Sequence, residues 1–230
     1  MRFQRLESLI GTSILSAIKK KIVIVYGLGG VGGYACEALV RSGVGTVHLV
    51  DFDCIETSNI NRQIIALTST IGLMKTDVFA QRIHDINPLC EVHIHTHAYT
   101  DQMKTYFADI DVDFVIDAID DVNAKVHLLK MYRLHEVPII SSMGFANKMH
   151  PEEIQIAHLN DTSVCPLART IRRRLKKEDV PLDIPVVFST EKPTKPLDGI
   201  IKLGSNAFVP STAGLYMASY VINQWTEELS

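Results

Sequence analysis

Residues 21–51 read KIVIVYGLGGVGGYACEALVRSGVGTVHLVD, an apolar β-branched run, a glycine cluster, a helix-like stretch and a second apolar run. Valine and isoleucine in succession favour an extended, buried strand, and the glycines punctuate its end, so the segment predicts a β-α-β unit. Gly27-Leu-Gly-Gly-Val-Gly32 falls where the first strand gives way to the helix. Small residues at that point let backbone N–H groups approach phosphate oxygens, and the helix N-terminus adds partial positive charge. Asp51 ends the second strand 24 residues beyond Gly27, in position to accept a hydrogen bond from a ribose hydroxyl. A nucleotide site is implied. On these residues alone a dinucleotide-dependent oxidoreductase fits as well as any other nucleotide user.

The alternation continues outward from this unit. Residues Lys75 to Ile86 predict a helix with Phe79, Ile83 and Ile86 on its apolar side, ending near Asn87-Pro88 because proline disfavours continuation. Strands are predicted from Glu91 to Thr96, Asp113 to Asp117 and Val137 to Ser141, with a helix from Val122 to His135 between the last two. Strands and helices in this rhythm imply an α/β fold, a Rossmann-like, doubly wound, mostly parallel sheet covered on both faces. After residue 143 the rhythm changes. Strands from Glu153 to His158 and Pro185 to Ser189 flank a basic helix from Pro166 to Lys177, Glu191 to Gly199 reads as an exposed loop, and a helix from about Ser211 to Trp225 closes the chain. The expected organisation is a nucleotide-binding region over residues 1–143 and a smaller C-terminal appendage over residues 144–230, packed on the same domain.

Bulk composition narrows the class. The 230 residues are 47% hydrophobic and 21% charged, close to the globular average, which excludes disorder and a small disulfide scaffold. No apolar run is long enough to span a bilayer, and the start, MRFQRLESLIG, lacks the apolar stretch of a secretory signal, so no membrane association and a cytoplasmic location are expected. Cys36, Cys54, Cys90 and Cys165 form no C-x-x-C pair, which argues against both a zinc knuckle and a disulfide framework. The net charge of −3 excludes a globally basic nucleic-acid binder, so any RNA contact must come from a local patch.

The stretch after Asp51, DFDCIETSNINRQ, sets this chain apart from an ordinary dehydrogenase. Asp53, Asn59, Asn61, Arg62 and Gln63 crowd just beyond the ribose position, and Lys75 follows at the head of the next helix. Hydride transfer has no triphosphate to neutralise, whereas attack of a carboxylate on an α-phosphate needs fixed cations around the phosphates. Either cation alone reads as a solvated surface charge; Arg62 and Lys75 together, beside a glycine loop, read as phosphate ligands. Asp117-Ala-Ile-Asp120-Asp121 ends the fourth strand on the edge where open α/β sheets bind ligands, so one carboxylate there can hold Mg²⁺ on the phosphates. Asp117 reads as structural, and Asp121 as a cap for the following helix.

Gly-x-Gly-Gly-x-Gly, Asp-x-Asp, Ser-Asn-x-Asn-Arg-Gln, a lysine shortly after Ile71-Gly72, and Asp-Ala-x-Asp together resemble the E1-like activating enzymes. The resemblance implies that Gly27, Gly29, Gly30 and Gly32 line the phosphate loop of an ATP site and that Asp51 binds ribose. Asn59, Arg62 and Lys75 would contact phosphates, Asp53 and Gln63 would belong to the same pocket, and Asp120 would sit by the magnesium ion. Arg62, Lys75 and Asp120 are then the catalytic candidates. The start, Arg5-Leu-Glu-Ser-Leu-Ile-Gly11, resembles the segment whose arginine reaches into the neighbouring subunit's ATP site, so Arg5 is a candidate finger and a homodimer is implied.

Three branches of that family compete. Sulfur-carrier adenylating enzymes usually add paired zinc cysteines, absent here, and ubiquitin-type enzymes are much longer. The second half, with Asp161-x-x-x-x-Pro166-Leu-Ala, Val186-Val-Phe-Ser-Thr-Glu191 and Gly204-Ser-x-x-Phe-Val-Pro-Ser-x-Ala-Gly214, resembles the tRNA threonylcarbamoyladenosine dehydratases. Cys165 departs from their pattern, standing where Asp is frequent. The reaction implied is ATP-dependent dehydration of N6-threonylcarbamoyladenosine in tRNA: the threonyl carboxylate is adenylated and the modification's own carbamoyl group closes a ring. The nucleophile belongs to the substrate, so no catalytic thiol is required. Arg169, Arg172, Arg173, Arg174, Lys176 and Lys177 would then meet tRNA phosphates. Nothing specifies a sulfur-transfer or redox partner protein. A sulfur-carrier adenylating enzyme, an oxidoreductase and a non-catalytic scaffold stand as alternatives.

Overall fold

The computed structural model describes residues 2–99, 111–194 and 203–229. Two short helices, α1 (Gln4–Ile10) and α2 (Thr12–Ile18), precede the expected unit: β1 (Ile22–Tyr26), α3 (Gly32–Arg41) and β2 (Thr46–Val50). There follow α4 (Lys75–Ile86), β3 (Glu91–His95), β4 (Phe114–Asp117), α5 (Val122–Leu134), β5 (Ile139–Ser142), β6 (Ile154–His158), α6 (Pro166–Lys176), β7 (Pro185–Ser189) and α7 (Phe208–Glu228). The strands form one sheet in the order β3-β2-β1-β4-β5-β7-β6, parallel throughout except for β6, which runs antiparallel to β7 at the edge. The sheet continues unbroken across residues 143 and 144, because β7 pairs with β5.

Alternation along the strands divides the apolar residues between two cores. Val23 and Val25 of β1 and Ile116 of β4 face one way, against Leu39 of α3, Phe79 and Ile83 of α4, and Val209, Met217 and Trp225 of α7. Ile24, Tyr26 and Val115 face the other way, against Leu128 and Leu129 of α5 and Ile171 and Leu175 of α6. Burial of such a side chain stabilises by roughly 1.5–3 kcal/mol, so both layers are firmly held to the sheet. Helix α7 comes close enough to α3 that a β-carbon on Gly214 would lie 2.9 Å from the Ala35 nitrogen and overlap the Val31 carbonyl. Only glycine permits that crossing.

Element ends differ from the sequence reading for local reasons. Strand β4 starts after Asp113, whose carboxylate is taken by the Ile22 N–H at 2.8 Å and Lys21 Nζ at 2.7 Å. Strand β5 starts after Pro138, which has no N–H to give a ladder. Helix α7 begins before Ser211 because Pro210 falls in its first turn, where a missing N–H costs nothing, and it runs past Trp225 because no glycine or proline stops it. The 195–199 part of the expected Glu191–Gly199 loop lies outside the described residues.

Beneath the carboxyl edge lies a fully buried polar cluster. Lys125 Nζ is 2.7 Å from Asp117 Oδ2 and donates to Ser141 Oγ at 3.2 Å, while Ser141 Oγ donates to Asp117 Oδ2 at 2.6 Å. All three residues are 0% exposed. Asp117 is thus structural, as its sequence context implies, and its other oxygen accepts from the Ile119 N–H at 3.2 Å, shaping the loop beyond β4. Removing one partner of a buried pair strands the other charge, at a cost of about 3–5 kcal/mol. Lys125→Met is therefore expected to lose about that much stability in urea unfolding, and adding Asp117→Asn to recover part of it. A single variant as stable as the parent would show that this cluster does not hold β4, α5 and β5 together.

Candidate active site at the carboxyl edge of the sheet

The chain leaves β1 towards β2 on one side and later returns to place β4 on the other, so a crevice opens beyond the carboxyl ends of β1 and β4. The glycine loop occupies it. Gly27 has φ +85°, and a β-carbon there would lie 2.7 Å from the Ala118 carbonyl oxygen. This close approach of the loop to the end of β4 requires glycine. Gly29 and Gly30 form the outer bend, and Gly32 opens α3.

Asp51, at the end of β2, is the anchor of this loop. It is 7% exposed, its Oδ2 accepts from the Leu28 N–H at 2.6 Å, and its Oδ1 accepts from the Asp53 N–H at 2.9 Å. Burial pushes its carboxyl above the ordinary carboxylate range, opposed by the charge of Lys75 and the two N–H groups. The remaining lone pairs are still able to take a ribose hydroxyl, so loop anchoring and sugar recognition are compatible. Lys75, the first residue of α4, is buried with its Nζ 2.6 Å from Asp53 Oδ2 and 3.9 Å from Asp51 Oδ1. The lysine sits between two carboxylates beyond the end of β2.

The outer side of the glycine loop is faced by the turn at Thr57–Asn59. Asn59 Oδ1 accepts from the Glu56 N–H at 3.1 Å, and its carbonyl accepts from the N–H groups of Arg62 and Gln63 at 3.0 and 2.9 Å. Asn59 therefore shapes the segment that carries its neighbours. Arg62 Nη1 donates to the Ser58 carbonyl at 2.8 Å and to Asn61 Oδ1 at 3.1 Å, and its side chain packs 3.4 Å from the place a β-carbon on Gly30 would take. Gln63 Nε2 is 3.9 Å from the equivalent place on Gly29, and its buried Oε1 has no hydrogen-bond partner among the described residues. Arg62 and Gln63 thus flank the glycine loop. Asp120 is exposed on the loop beyond β4, and Asp121 caps α5 by accepting from the Ala124 N–H at 2.7 Å.

The C-terminal segment closes this side in a way the sequence reading missed. Asn61 Nδ2 donates to the Ser205 carbonyl at 2.9 Å, and Pro210 at the start of α7 lies 3.3 Å from the Gly30 β-carbon position. Asn206 Oδ1 caps the same helix, accepting from the Val209 N–H at 2.9 Å. The only signal was the Gly204–Gly214 motif itself, since contacts spanning so much chain leave no local pattern.

The candidate RNA-facing helix α6 is divided. Arg169, Arg173, Lys176 and Lys177 are exposed, whereas Arg172 Nη1 donates inward to the carbonyls of Leu159 and Thr162, at 3.2 and 2.9 Å, and to the Thr162 hydroxyl. Arg174 Nη1 donates to Asn123 Oδ1 at 2.7 Å. Arg172 is part of the fold, and the outward charge comes from the other positions. Arg5 is exposed on α1, a helix with no buried residue. Cys36, Cys90 and Cys165 are buried; Cys54 is exposed.

The ThiF family model matches residues 3–223. The tRNA threonylcarbamoyladenosine dehydratase of Bacillus subtilis is 42% identical over 96% of this chain and 93% of its own length. Among solved structures, the tRNA N6-threonylcarbamoyladenosine dehydratase TcdA of E. coli in complex with ATP superposes with a TM-score of 0.92 at 33% identity, covering 99% of this chain and 94% of that one. Its complex with AMP gives a TM-score of 0.92 at 34% identity over the same shares.

Proposed function

The chain belongs to the ThiF family, and from that membership we propose that it dehydrates N6-threonylcarbamoyladenosine in tRNA at the expense of ATP. The observation that carries this reading is the pair of cations around the glycine loop, Arg62 packed on Gly30 and Lys75 held by Asp51 and Asp53. A hydride-transfer enzyme has no triphosphate for that pair to neutralise. The absence of paired zinc cysteines from the sequence speaks against a sulfur-carrier enzyme.

The N–H groups of the glycine loop and the start of α3 receive the phosphates. Arg62 neutralises charge on the outer side of the loop. Lys75 exchanges Asp53 Oδ2 for a phosphate oxygen when ATP enters, and Asp51 keeps the loop in register for the ribose. The threonyl carboxylate attacks the α-phosphate, pyrophosphate leaves, and the carbonyl carbon becomes an acyl-adenylate. The carbamoyl group then attacks that carbon and AMP departs, so one molecule of water is lost from the nucleoside as ATP becomes AMP and pyrophosphate. No cysteine need intervene, which suits the burial of Cys36, Cys90 and Cys165. Asp120, exposed and without a hydrogen bond or ion pair among the described residues, offers the hard oxygen that Mg²⁺ prefers; Mg²⁺ bound there would offset phosphate charge.

The exposed cations of α6 take tRNA phosphates in this reading, and Arg5 of one subunit reaches the ATP of another in a homodimer. A tRNA substrate implies a cytoplasmic location; no helix among the described residues is long and apolar enough to cross a membrane.

Adenylation is read by tRNA-dependent exchange of pyrophosphate into ATP. Arg62→Ala and Lys75→Ala are each expected to lower the exchange rate by about 10²-fold or more, the usual cost of removing one preorganised charge from a transition state. Exchange at the parent rate in either variant would remove that residue from the phosphate site.

The RNA face is tested by salt dependence. Reversing Arg173, Lys176 and Lys177 together should flatten the fall of log K with log salt in tRNA binding, since that slope counts neutralised phosphates. ATP affinity should be unaffected. Arg172→Gln should lower the melting temperature instead, because it removes hydrogen bonds to buried carbonyls. Equal salt slopes for parent and triple variant would turn α6 away from the RNA.

A further inference from the structure

Lys148 is a buried cation that the chemistry above leaves unused. It lies in the turn between β5 and β6, at the carboxyl edge of the sheet, and is 2% exposed. Its Nζ donates to the Ser189 carbonyl oxygen at 3.1 Å, at the end of β7. Among the described residues it has no carboxylate in ion-pair contact. Glu191, whose charge it feels, instead accepts from the N–H groups of Met149 and His150 at 2.9–3.0 Å. Burial holds the Lys148 ammonium below the ordinary lysine range, an effect that Cys165 and Glu191 partly offset. A buried charge with only a neutral carbonyl for a partner is expensive unless an anion arrives to meet it.

The position of the turn suggests which anion. The Lys148 carbonyl accepts from Asn206 Nδ2 at 2.7 Å, and Asn206 caps α7, whose Pro210 packs against Gly30. Ser205, next in the same strap, accepts from Asn61 beside Arg62. One run of contacts therefore joins the Lys148 turn to the phosphate side of the crevice. Helix α6 begins near the lysine, with Cys165 as an N-cap residue whose side chain caps nothing, so the helix start adds positive potential there. Arg62 and Lys75 are committed to the triphosphate. The incoming carboxylate, an anion approaching an anion, needs a cation of its own.

We propose that Lys148 is that cation: its ammonium binds the carboxylate of the threonylcarbamoyl group and positions it for attack on the α-phosphate. The assignment rests on the adenylation chemistry proposed above. Access requires the Asn147–Lys148 turn to shift, and three hydrogen bonds tie it to residues 204–206: Asn147 N–H to the Gly204 carbonyl, Gly204 N–H to Asn147 Oδ1, and Asn206 Nδ2 to the Lys148 carbonyl.

Steady-state kinetics against pH, with threonylcarbamoyladenosine-containing tRNA as the varied substrate, tests this. In the parent, kcat/KM for the tRNA should fall on the alkaline side as Lys148 loses its proton, at a pH below the ordinary lysine range. Lys148→Arg, which stays protonated, should retain activity and lose that alkaline limb. Lys148→Met should lower kcat/KM about 10- to 100-fold, the range for a hydrogen bond to a charged group, with ATP affinity unchanged. An alkaline limb that persists in Lys148→Arg, or a Lys148→Met protein indistinguishable from the parent, would overturn the assignment while leaving adenylation intact. Should Lys148→Met fail to fold, the Lys148→Arg profile decides. A parent protein that releases no pyrophosphate would overturn the adenylation reading, and the assignment with it.

Discussion

The buried carboxylate of Asp51 is the constraint on which the crevice depends. One oxygen holds the glycine loop through Leu28, the other holds the chain at Asp53, and the charge as a whole faces Lys75. An asparagine at this place would turn an amide nitrogen, which cannot accept, towards one of the two N–H groups and would leave Lys75 to Asp53 alone. Charge-assisted hydrogen bonds are about twice as strong as neutral ones, which suits an acid asked to fix both the loop and the lysine. The crevice is thus preorganised: its cation, its acid and its glycine loop are mutually located by contacts within the chain.

The second structural condition is the seat beneath that loop. Gly27 rests against the Ala118 carbonyl, and the loop from Ala118 to Asp120 is shaped by Asp117, which Lys125 and Ser141 hold in a buried cluster. The doubly wound sheet thereby joins the residues after β1, β2 and β4 at one edge. The C-terminal segment is continuous with this arrangement. It extends the sheet by β6 and β7, sends α7 back over α3 through Gly214, and presses Pro210 on the glycine loop.

What was legible in the sequence follows from how local each signal is. The β-α-β unit, the helix from Lys75 to Ile86 and the strand from Pro185 to Ser189 rest on periodicity and turn chemistry within a few residues, and the structure has them. The grouping of Gly27–Gly32, Asp51, Arg62 and Lys75 was legible because the fold class brings strand ends to one edge. Less legible was the partner each side chain would take. Arg172 shares its composition with Arg173, yet one points at buried carbonyls and the other at solvent, a difference set by the turn at Leu159–Thr162. Lys148 was invisible as a candidate for the converse reason: a lysine in a polar turn reads as exposed, and only the packing of β7 and α6 around it makes it buried.

The central claim, that these residues activate a carboxylate on a tRNA nucleoside with ATP, is tested most directly by mass spectrometry of tRNA nucleosides after incubation with the purified protein. With ATP and Mg²⁺ the threonylcarbamoyladenosine nucleoside should lose the mass of one water molecule, with AMP and pyrophosphate formed in equal amounts, and nothing should change without ATP. An unmodified nucleoside mass in the presence of ATP, or water loss that proceeds equally well in its absence, would contradict the account.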